Sequence, residues 1–335
     1  MKIFLPFSLK DIGGPSSFAK KFKQGLEQRG HQVFFDFQEE YDVLFLIVQC
    51  PLRYLMHAKR NRRPIVQRLD GVYYWSVSGW KFPLMNAKAT YIRHLFTDFT
   101  VYQSEYSRRC VERFLGRKNH ERSALIYNGV DTNSFSPTGA TANVRDNAGQ
   151  AIFFTASAFR RTDQIVPLLV AVNDYRSRFS TNCKLVIAGS FVGEVADLPD
   201  RLGQLPYVQL LGKVGNTDLP AYERAADVFV FTHMNPPCPN NVIEAMACGL
   251  PICGVADGAM TELVQHGSNG LLVQTQGDAF WGRRNISTKQ FVVHLRQIME
   301  RRREYASISR QLVEEKFSLE LMIDKYLEAL YTAIQ

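Results

Sequence analysis

Residues 239–254 read PNNVIEAMACGLPICG, and this stretch decides the fold. Asn240 is a good N-cap for a short helix, Gly249 ends that helix, and an apolar strand follows at Ile252–Gly254. A second apolar strand, Val228–Phe231, precedes the helix across a proline-rich loop. Alternating strands and helices predict a parallel sheet, and a helix that begins just after a strand offers free N–H groups to an anion such as a pyrophosphate.

The same alternation of apolar strands and amphipathic helices runs through both halves of the chain. The other predicted strands are Ile3–Phe7, Val33–Phe37, Val43–Val48, Ile65–Leu69 and Phe99–Tyr102 in the first half, and Ala151–Ala156, Lys184–Ala188 and Val208–Leu211 in the second. Helical stretches such as Ser16–Arg29 and Glu105–Leu115 lie between them. The pattern predicts an α/β protein with two Rossmann-like, doubly wound parallel-sheet domains facing a cleft. Ligands of such sheets bind at the carboxyl ends of the strands, where the strand order reverses.

The domain boundary is predicted from a small, polar and turn-rich stretch at 136–149, which is typical of a linker. We therefore predict one domain over 1–138 and a second over 150–317. The 335 residues are too many for one ordinary core and suit two domains of ~150 residues each. A last amphipathic helix is predicted over 318–335, with Ser318 as its N-cap.

The composition argues against several classes of protein. Six cysteines without a C-x-x-C pair and seven histidines without an H-x-x-x-H pair indicate buried free thiols rather than a zinc site. No secretory signal or long apolar run is present, so we expect a cytoplasmic protein without a membrane-spanning segment. No nucleic-acid-binding motif is found, so nucleic acid is not an expected partner.

The formal net charge of +8 favours anionic partners such as nucleotide phosphates or an acidic membrane face. Basic residues cluster at 59–63, 160–161 and 301–303, although each cluster also fits a solvated loop or helix end. An aromatic stretch at 73–80 fits a sugar-stacking surface, a hydrophobic core or a membrane-facing lip equally well. No D-x-D pair occurs, so we expect no metal, with positive side chains and a helix dipole acting on phosphate instead.

Three positions are candidate binding sites on sequence context alone. Glu244 is predicted in the first turn of the short helix, where it either accepts hydrogen bonds from the ribose of a nucleotide or only complements the helix dipole. Asp70 follows the strand Ile65–Leu69 and either orients an acceptor hydroxyl or caps a turn. Gly13 and Gly14 precede a helix, where they either let a ligand approach the backbone closely or form a tight turn.

The stretch 239–254 resembles the donor-binding motif of the retaining GT-B glycosyltransferases of family four. The motif of that family is a Glu, seven residues, and then Glu-Ala-Met-Ala-x-Gly-x-Pro. Further segments resemble the same family in the same order along the chain, and they are 104–109, 126–137, 222–231 and 255–273. The resemblance therefore runs through most of the chain and is densest from Leu211 to Val273.

The resemblance implies a GT-B fold, with the acceptor on the first domain and the nucleotide sugar on the second. The helix 318–335 would cross back to the first domain, and Gly13 and Gly14 would border the donor phosphates. The implied reaction moves a sugar, with retention of configuration, from a nucleoside diphosphate sugar to a hydroxyl of a glycan or a lipid-linked acceptor. Neither a cofactor nor a metal is implied, and peripheral contact with the inner face of a membrane would suit a lipid-linked acceptor.

The chain departs from the family pattern at the donor site. Pro236 stands where the family has the first Glu of the motif, so the transferred sugar must be held by Asn235, by Asn240 with Asn241, or by backbone N–H groups. The family's phosphate-binding Arg and Lys are also displaced. We expect at least one member of a basic set to contact phosphate, and the set is Arg160, Arg161 and Lys213. In the first domain, Asp70 takes the place of a His that is frequent in the family, with Arg68 beside it.

Other functions stay open at this point. A sugar-nucleotide epimerase shares the GT-B architecture, and a protein that binds the donor without turnover would also fit the loss of the first Glu. A basic protein that binds nucleic acid or membrane is a third possibility. The sequence does not name the base, the sugar or the acceptor.

Overall fold

The computed structural model describes residues 1–9, 14–118, 121–282 and 284–335. The chain divides into two compact units. Unit 1 comprises Met1–Gly129 and Leu319–Gln335, and unit 2 comprises Val130–Ser318. Within the described residues, every helix is too short or too polar to cross a lipid bilayer.

Unit 1 contains one sheet of six parallel strands. In chain order the strands are β1 (Lys2–Phe4), β2 (Gln32–Phe34), β3 (Val43–Ile47), β4 (Ile65–Leu69), β5 (Phe99–Tyr102) and β6 (Ser123–Leu125). Their spatial order is β2-β1-β3-β4-β5-β6, so the sheet grows outward in both directions from its first strand. The strand β6 was not predicted, since its three residues are all only half-buried and carry no apolar run.

Helices cover both faces of this sheet. They are α1 (Gly14–Glu27), α2 (Leu52–Arg60), α3 (Trp75–Ser78), α4 (Phe82–Leu95) and α5 (Glu105–Leu115), together with the C-terminal helix Leu319–Ile334. On one face, Phe22 of α1 stacks on Phe45 of β3 with ring centroids 4.6 Å apart, and Tyr326 of the C-terminal helix joins the same cluster. On the other face, α2 and α4 share a core with β3 and β4.

The C-terminal helix belongs to unit 1, where the family resemblance predicted it. Arg29, in the turn just after α1, forms an ion pair with Asp324 at 2.9 Å. Gly25 of α1 lies so close to the helix that an added Cβ would sit 2.6 Å from the side chain of Ile323. The two helices are therefore in tight contact.

Unit 2 contains a second sheet of six parallel strands. They are β7 (Ala151–Phe159), β8 (Cys183–Phe191), β9 (Val208–Gly212), β10 (Val228–Phe231), β11 (Ile252–Val255) and β12 (Gly270–Val273), and β13 (Thr275–Gln276) and β14 (Asn285–Ile286) form a separate small ribbon. The order is β12-β11-β10-β7-β8-β9. Both sheets are thus doubly wound and parallel, as the alternation of strands and helices predicts.

The helices of unit 2 cover both faces of its sheet. They are α6 (Val166–Arg178), α7 (Leu198–Leu202), α8 (Leu219–Ala225), α9 (Asn240–Ala247), α10 (Met260–Leu263), α11 (Thr288–Glu300) and α12 (Arg302–Lys316). The C-terminal helix described above, which belongs to unit 1, is α13 (Leu319–Ile334). The main core lies between the sheet and the helices α6 and α11.

The segment before β7 is part of unit 2, although its turn-rich stretch 136–149 was predicted as a linker between domains ending at 138 and beginning at 150. The N–H of Val130 donates to the carbonyl of Phe317 at 3.0 Å. Arg310 of α12 donates to the carbonyls of Thr132, Phe135 and Ala247 at 2.9–3.1 Å. The division between the units therefore falls at 129/130 and 318/319 rather than inside the polar stretch.

Candidate functional site

The strand order of unit 2 reverses between β7 and β10. From β7 the chain proceeds outward through β8 and β9, and then returns to the other side of β7 with β10, β11 and β12. Adjacent parallel strands lie ~4.8 Å apart, so the loops that follow β7 and β10 emerge side by side. Ligands of doubly wound sheets bind at such a reversal, at the carboxyl ends of the strands.

The loop after β7 carries the two predicted arginines, and Gln164 holds it in place. The side-chain oxygen of Gln164 accepts from the backbone N–H of Arg160 at 2.7 Å and from that of Arg161 at 3.1 Å. The backbone carbonyl of Gln164 accepts from the hydroxyl of Thr232, directly after β10, at 2.8 Å. One residue thus joins the two loops at the reversal point.

The two arginines have different surroundings. Arg161 forms an ion pair with Asp163 at 2.6 Å, so its charge is already balanced. The guanidinium of Arg160 is exposed and donates only to the carbonyl of Ala158 at 3.3 Å, and among the described residues no carboxylate pairs with it. Arg160 is therefore the arginine with charge available for an anion.

The third predicted cation stands apart from the arginines. Lys213 is exposed and follows β9, which is separated from β7 by β8. The ends of β9 and β7 are thus ~10 Å apart, twice the spacing of neighbouring strands. The structure brings the loops after β7 and β10 together and leaves Lys213 at the edge of the same sheet.

The loop between β10 and α9, at 232–239, is held by a buried carboxylate. Asp257 accepts from the N–H of Asn235 at 3.0 Å and from the N–H of Gly258 at 2.8 Å, and it pairs with Arg284 at 3.0 Å. Pro236, in place of the first Glu of the family motif, receives a hydrogen bond on its carbonyl from Ala259 at 2.8 Å. The loop is therefore fixed by backbone contacts, and the backbone of Asn235 takes part in them.

The helix α9 begins one residue earlier in the chain than the sequence predicts. Asn240 is the first helical residue rather than the N-cap, which is Pro239, and no side chain caps the helix. Asn241 donates from its amide to the carbonyl of Ala156 at 2.6 Å, which ties the helix to β7. The N–H of Val242 donates to the side-chain oxygen of Asn241 at 3.0 Å. The N–H groups of Asn240 and Asn241 precede it, have no i−4 carbonyl within the helix, and follow directly on the loop 232–239.

Glu244 lies in the second turn of α9, not in the first as predicted, because the helix starts at Asn240. Its side chain is buried, as is that of Glu223 in the neighbouring helix α8. Burial raises the pKa of the Glu223 carboxyl well above its usual range, and the nearby charge of Glu244 raises it further. Both effects favour the protonated form of Glu223, beside the residue Glu244 that is predicted to bind ribose.

In unit 1, Asp70 follows β4 and belongs to a buried polar network. Its carboxylate pairs with Arg68 at 3.1 Å, and Arg68 also donates to Asn128 at 2.9 Å while its guanidinium lies 3.4 Å over the ring of Phe18. Burial raises the pKa of Asp70, and the charge of Arg68 opposes that shift. The predicted role of Asp70 toward an acceptor hydroxyl stays a prediction.

The predicted glycine loop of unit 1 is only partly described. Gly14 is the first residue of α1 and is exposed, with open space where a Cβ would be. Gly13 lies outside the described residues. The strand order of unit 1 also reverses at β1, between β2 and β3, so α1 begins at the carboxyl end of the central strand.

Three residues near the reversal point were not predicted from sequence, and they are Glu223, His233 and Asp257. The signal for Glu223 is the single acidic residue of the short helix α8, and that for Asp257 is a carboxylate just after β11. His233 directly follows the strand β10 and Thr232. None of these signals gives the partner of the side chain, which lies elsewhere in the sequence.

Residues 149–282, which include this whole site except Arg284, match the family model described as Glycosyl transferases group 1. The D-inositol 3-phosphate glycosyltransferase of Pseudarthrobacter chlorophenolicus is 28% identical over 177 residues, which cover 49% of this chain and 41% of that protein. An uncharacterized glycosyltransferase of Methanocaldococcus jannaschii is 36% identical over 94 residues, which cover 28% and 24%. The matches thus span less than half the length of these curated relatives.

Among solved structures, HepE of Anabaena in complex with UDP-glucose aligns over 99% of both chains, with a TM-score of 0.76 and 19% identity. Sucrose-phosphate synthase of Thermosynechococcus elongatus aligns over 99% of both chains, with a TM-score of 0.75 and 16% identity. At these identities the similarity concerns the fold alone. Together with the two parallel six-stranded sheets, it identifies a GT-B fold, as the family resemblance of the sequence implies.

Proposed function

We propose that this group 1 glycosyltransferase chain moves a sugar from a nucleoside diphosphate sugar to an acceptor hydroxyl, with retention of configuration. Two groups at the reversal point of the unit 2 sheet carry the proposal. One is Arg160, with which no carboxylate pairs among the described residues, and the other is the start of α9, whose N-cap Pro239 has no side-chain cap. A fixed cation and free N–H groups both stabilise the negative charge that a departing diphosphate gains in the transition state.

The donor is proposed to lie along the loops after β7 and β10. Its diphosphate would meet Arg160 and the first N–H groups of α9, and its ribose hydroxyls would meet Glu244. Lys213 would act only if its long side chain turns inward along the edge of the sheet. No metal is needed in this scheme, because side-chain and helix charges act on the phosphates.

A uridine nucleotide is the first donor to test. The complexes of HepE hold UDP or UDP-glucose, and the complex of a pneumococcal O-GlcNAc transferase holds UDP and GlcNAc. These ligands belong to those proteins, and they support a nucleotide sugar as the partner of this chain. The contacts of the base, which would decide between uridine, guanosine and adenosine, are not specified by the residues discussed above.

The experiment is a thermal-shift panel of UDP-, GDP- and ADP-sugars, followed by assays of hydrolysis and transfer with the sugars that bind. We expect one class of nucleotide sugar to raise the melting temperature, and turnover to survive EDTA. Epimerised sugar nucleotide formed without any acceptor would identify an epimerase instead. If no nucleotide sugar binds, or if EDTA abolishes turnover and a divalent ion restores it, the proposed function or its metal-free scheme is wrong.

We further propose that the acceptor is lipid-linked and that unit 1 contacts an acidic membrane. From 43 to 97 the chain carries nine Lys or Arg residues and a single acidic residue, Asp70. This stretch alone accounts for the formal net charge of +8, since the remaining 31 basic and 31 acidic residues balance. Asp70 is paired with Arg68, so the exposed part of the stretch bears only positive charge.

The same stretch exposes large apolar side chains. The helices α2 and α4 bury Leu55 and Ile92 in one core, so their outer sides lie on the same face of unit 1. The exposed large apolar side chains of the stretch 43–97 include Leu52, Met56, Trp75, Val77, Trp80, Leu84, Tyr91 and Leu95. We call these residues, together with Arg60, Arg62, Arg63, Lys81 and Lys88, the basic apolar face. Lys59 is not counted, because it forms an ion pair with Asp98 at 2.6 Å. Apolar and aromatic side chains among cations are typical of peripheral binding to anionic lipid.

A further inference from the structure

His233 is held rigidly at the end of β10, beside the end of β7. Its ring stacks on that of Phe231 with centroids 4.8 Å apart and planes 18° from parallel. A second ring, that of Phe159 at the end of β7, packs edge to face with it at a centroid distance of 5.7 Å. Both phenylalanines are buried in the sheet, so the imidazole has a fixed position at the point where the strand order reverses.

The hydrogen bonds of Gln164 determine which ring nitrogen carries the proton. The side-chain oxygen of Gln164 must be the atom that accepts from the N–H groups of Arg160 and Arg161, so its other side-chain atom is the amide nitrogen. That amide faces Nδ1 of His233 at 3.4 Å and can only donate. Nδ1 is therefore the acceptor, and a neutral imidazole carries its proton on Nε2.

The N–H at Nε2 is buried and finds no hydrogen-bond acceptor among the described residues. Burial and, to a smaller extent, the positive charge of Arg160 together lower the pKa of His233 to about 4, so the ring is neutral near pH 7. A buried donor without an acceptor is unfavourable, by ~1–3 kcal/mol. A neutral donor of this kind, at the edge of a proposed ligand site, suits an oxygen supplied by the ligand.

We propose that the Nε2–H of His233 donates a hydrogen bond to a diphosphate oxygen of the donor substrate. The positive charge of Arg160, in the loop after β7, is close enough to affect the His233 ring. The loop that contains His233 leads into the start of α9, whose N-cap Pro239 has no side-chain cap. A cation and a helix N-terminus both favour an anionic oxygen over the base or the sugar as the acceptor of the Nε2–H. The inference rests on the proposed function. It adds to that function a neutral binding residue, at a position that the family motif does not include.

The competing explanation is that His233 only fills space between two phenylalanine rings. A His233→Phe variant distinguishes the two explanations, because it keeps an aromatic ring in the stack and removes the Nε2–H. A His233→Gln variant is the matched control, because its amide nitrogen lies at about the distance of Nε2 from the backbone and can still donate. Melting temperatures of both variants establish that each is folded.

The first experiment measures affinity by calorimetry, with the nucleoside diphosphate that the donor panel selects and with the corresponding nucleoside. We expect His233→Phe to bind UDP, or the selected diphosphate, about tenfold more weakly, while its affinity for the nucleoside is unchanged. We expect His233→Gln to keep most of the affinity for the diphosphate. The loss of one hydrogen bond to a charged group lowers the affinity by about tenfold or somewhat more.

The second experiment observes the imidazole directly by ¹⁵N NMR of histidine-labelled wild-type protein. We expect the proton of His233 on Nε2 in the free protein, and a shift of that N–H signal when the diphosphate binds but not when the nucleoside binds. A proton on Nδ1, equal diphosphate affinity in His233→Phe, or an equal loss for the nucleoside would overturn the assignment of His233. If the wild-type protein binds no UDP, GDP or ADP, the proposed function itself fails and this inference falls with it.

Discussion

Arg160 and Arg161 are neighbours in sequence but differ in the partners of their side chains. Arg161 is paired with Asp163, whereas no carboxylate among the described residues pairs with Arg160, so of the two arginines Arg160 has charge free to stabilise a leaving diphosphate. We expect Arg160→Ala to lower turnover ~100-fold with a smaller effect on donor affinity, because the charge develops mainly in the transition state. Arg161→Ala and Lys213→Ala are the matched controls and should lose less, as kcat and KM measurements will establish. Near-normal turnover in Arg160→Ala would place the phosphates elsewhere.

Glu244 is the residue proposed to bind the ribose of the donor. The Glu244→Gln variant keeps the shape of the side chain and removes the charge that strengthens hydrogen bonds from two hydroxyls. Bonds to a charged group are worth ~1.5–3 kcal/mol, so we expect donor affinity to fall at least tenfold while the melting temperature stays close to that of the wild type. Calorimetry with the selected nucleotide sugar measures this. A folded variant with unchanged affinity would contradict the assignment.

Glu223 makes stability depend on pH in a direction that can be worked out. Burial and the charge of Glu244 raise the pKa of Glu223 well above its usual range, whereas in the unfolded chain this carboxyl ionises near pH ~4.3. As the pH rises above that value, the unfolded state loses a proton that the folded state keeps, so the folded state loses stability.

Glu223→Gln removes this cost, because an amide does not ionise. We expect the variant to melt a few degrees above the wild type at pH 8, and the difference to shrink toward zero near pH 4. The control is Glu40→Gln on an exposed side chain, which should change the melting temperature little at either pH. An equal difference between variant and wild type at both pH values would show that Glu223 is ionised in the folded protein.

At the scale of elements, the type and order of the strands and helices could be largely predicted, because apolar runs of strand length alternate with amphipathic stretches. The details that shape the site could not. The strand β7 extends three residues beyond the predicted Ala156, so Arg160 lies directly after it, and α9 begins at Asn240 rather than after it. The contacts of Gln164 with Thr232 and of Asp257 with Asn235 join residues that are distant in sequence, and no local pattern encodes them.

Gly258 shows how the loop 232–239 is fixed. Its φ is +59°, and an added Cβ would sit 2.3 Å from Cδ of Pro236, with backbone atoms of Pro236 at 2.6 Å. We expect Gly258→Ala to cost at least ~2 kcal/mol in the free energy of unfolding, because the backbone of the loop must move as well as bear strain. Urea denaturation measures this value.

The matched control is Gly267→Ala. Gly267 also has a positive φ, +87°, but open space surrounds the position of its Cβ. It should therefore bear only the ~1–2 kcal/mol that an unfavourable φ costs. Equal losses in the two variants would mean that Pro236 moves aside easily and that the loop is not rigid.

For the whole molecule, the distribution of charge separates two functions. The basic residues in excess lie between 43 and 97 in unit 1, whereas the proposed phosphate-binding cation Arg160 belongs to unit 2. The net charge of +8 could be predicted from the composition. That the excess charge lies on exposed helices that also carry apolar side chains could not, because it requires knowing which sides of α2 and α4 are buried. Removing charge from unit 1 is therefore expected to affect membrane contact and not donor binding.

The basic apolar face gives the last prediction. Trp80 and Leu84 are its most exposed apolar side chains, at 72% and 76%, so their insertion into a bilayer interface removes the most apolar surface from water. We expect the wild-type protein to sediment with vesicles of phosphatidylcholine and phosphatidylglycerol, to bind vesicles of phosphatidylcholine alone much less, and to be released by salt. The double variant Trp80→Ala, Leu84→Ala should bind the anionic vesicles at least ~10-fold more weakly, since each side chain contributes ~1.5–3 kcal/mol when buried. Trp281→Ala, at an exposed tryptophan of unit 2, is the matched control and should bind as the wild type does. The membrane assignment would be wrong if Trp281→Ala lost as much vesicle binding as the double variant, or if the wild type showed no preference for anionic lipid. If the protein formed a dimer in solution that the double variant dissociates, this face would bind a second copy of the chain instead.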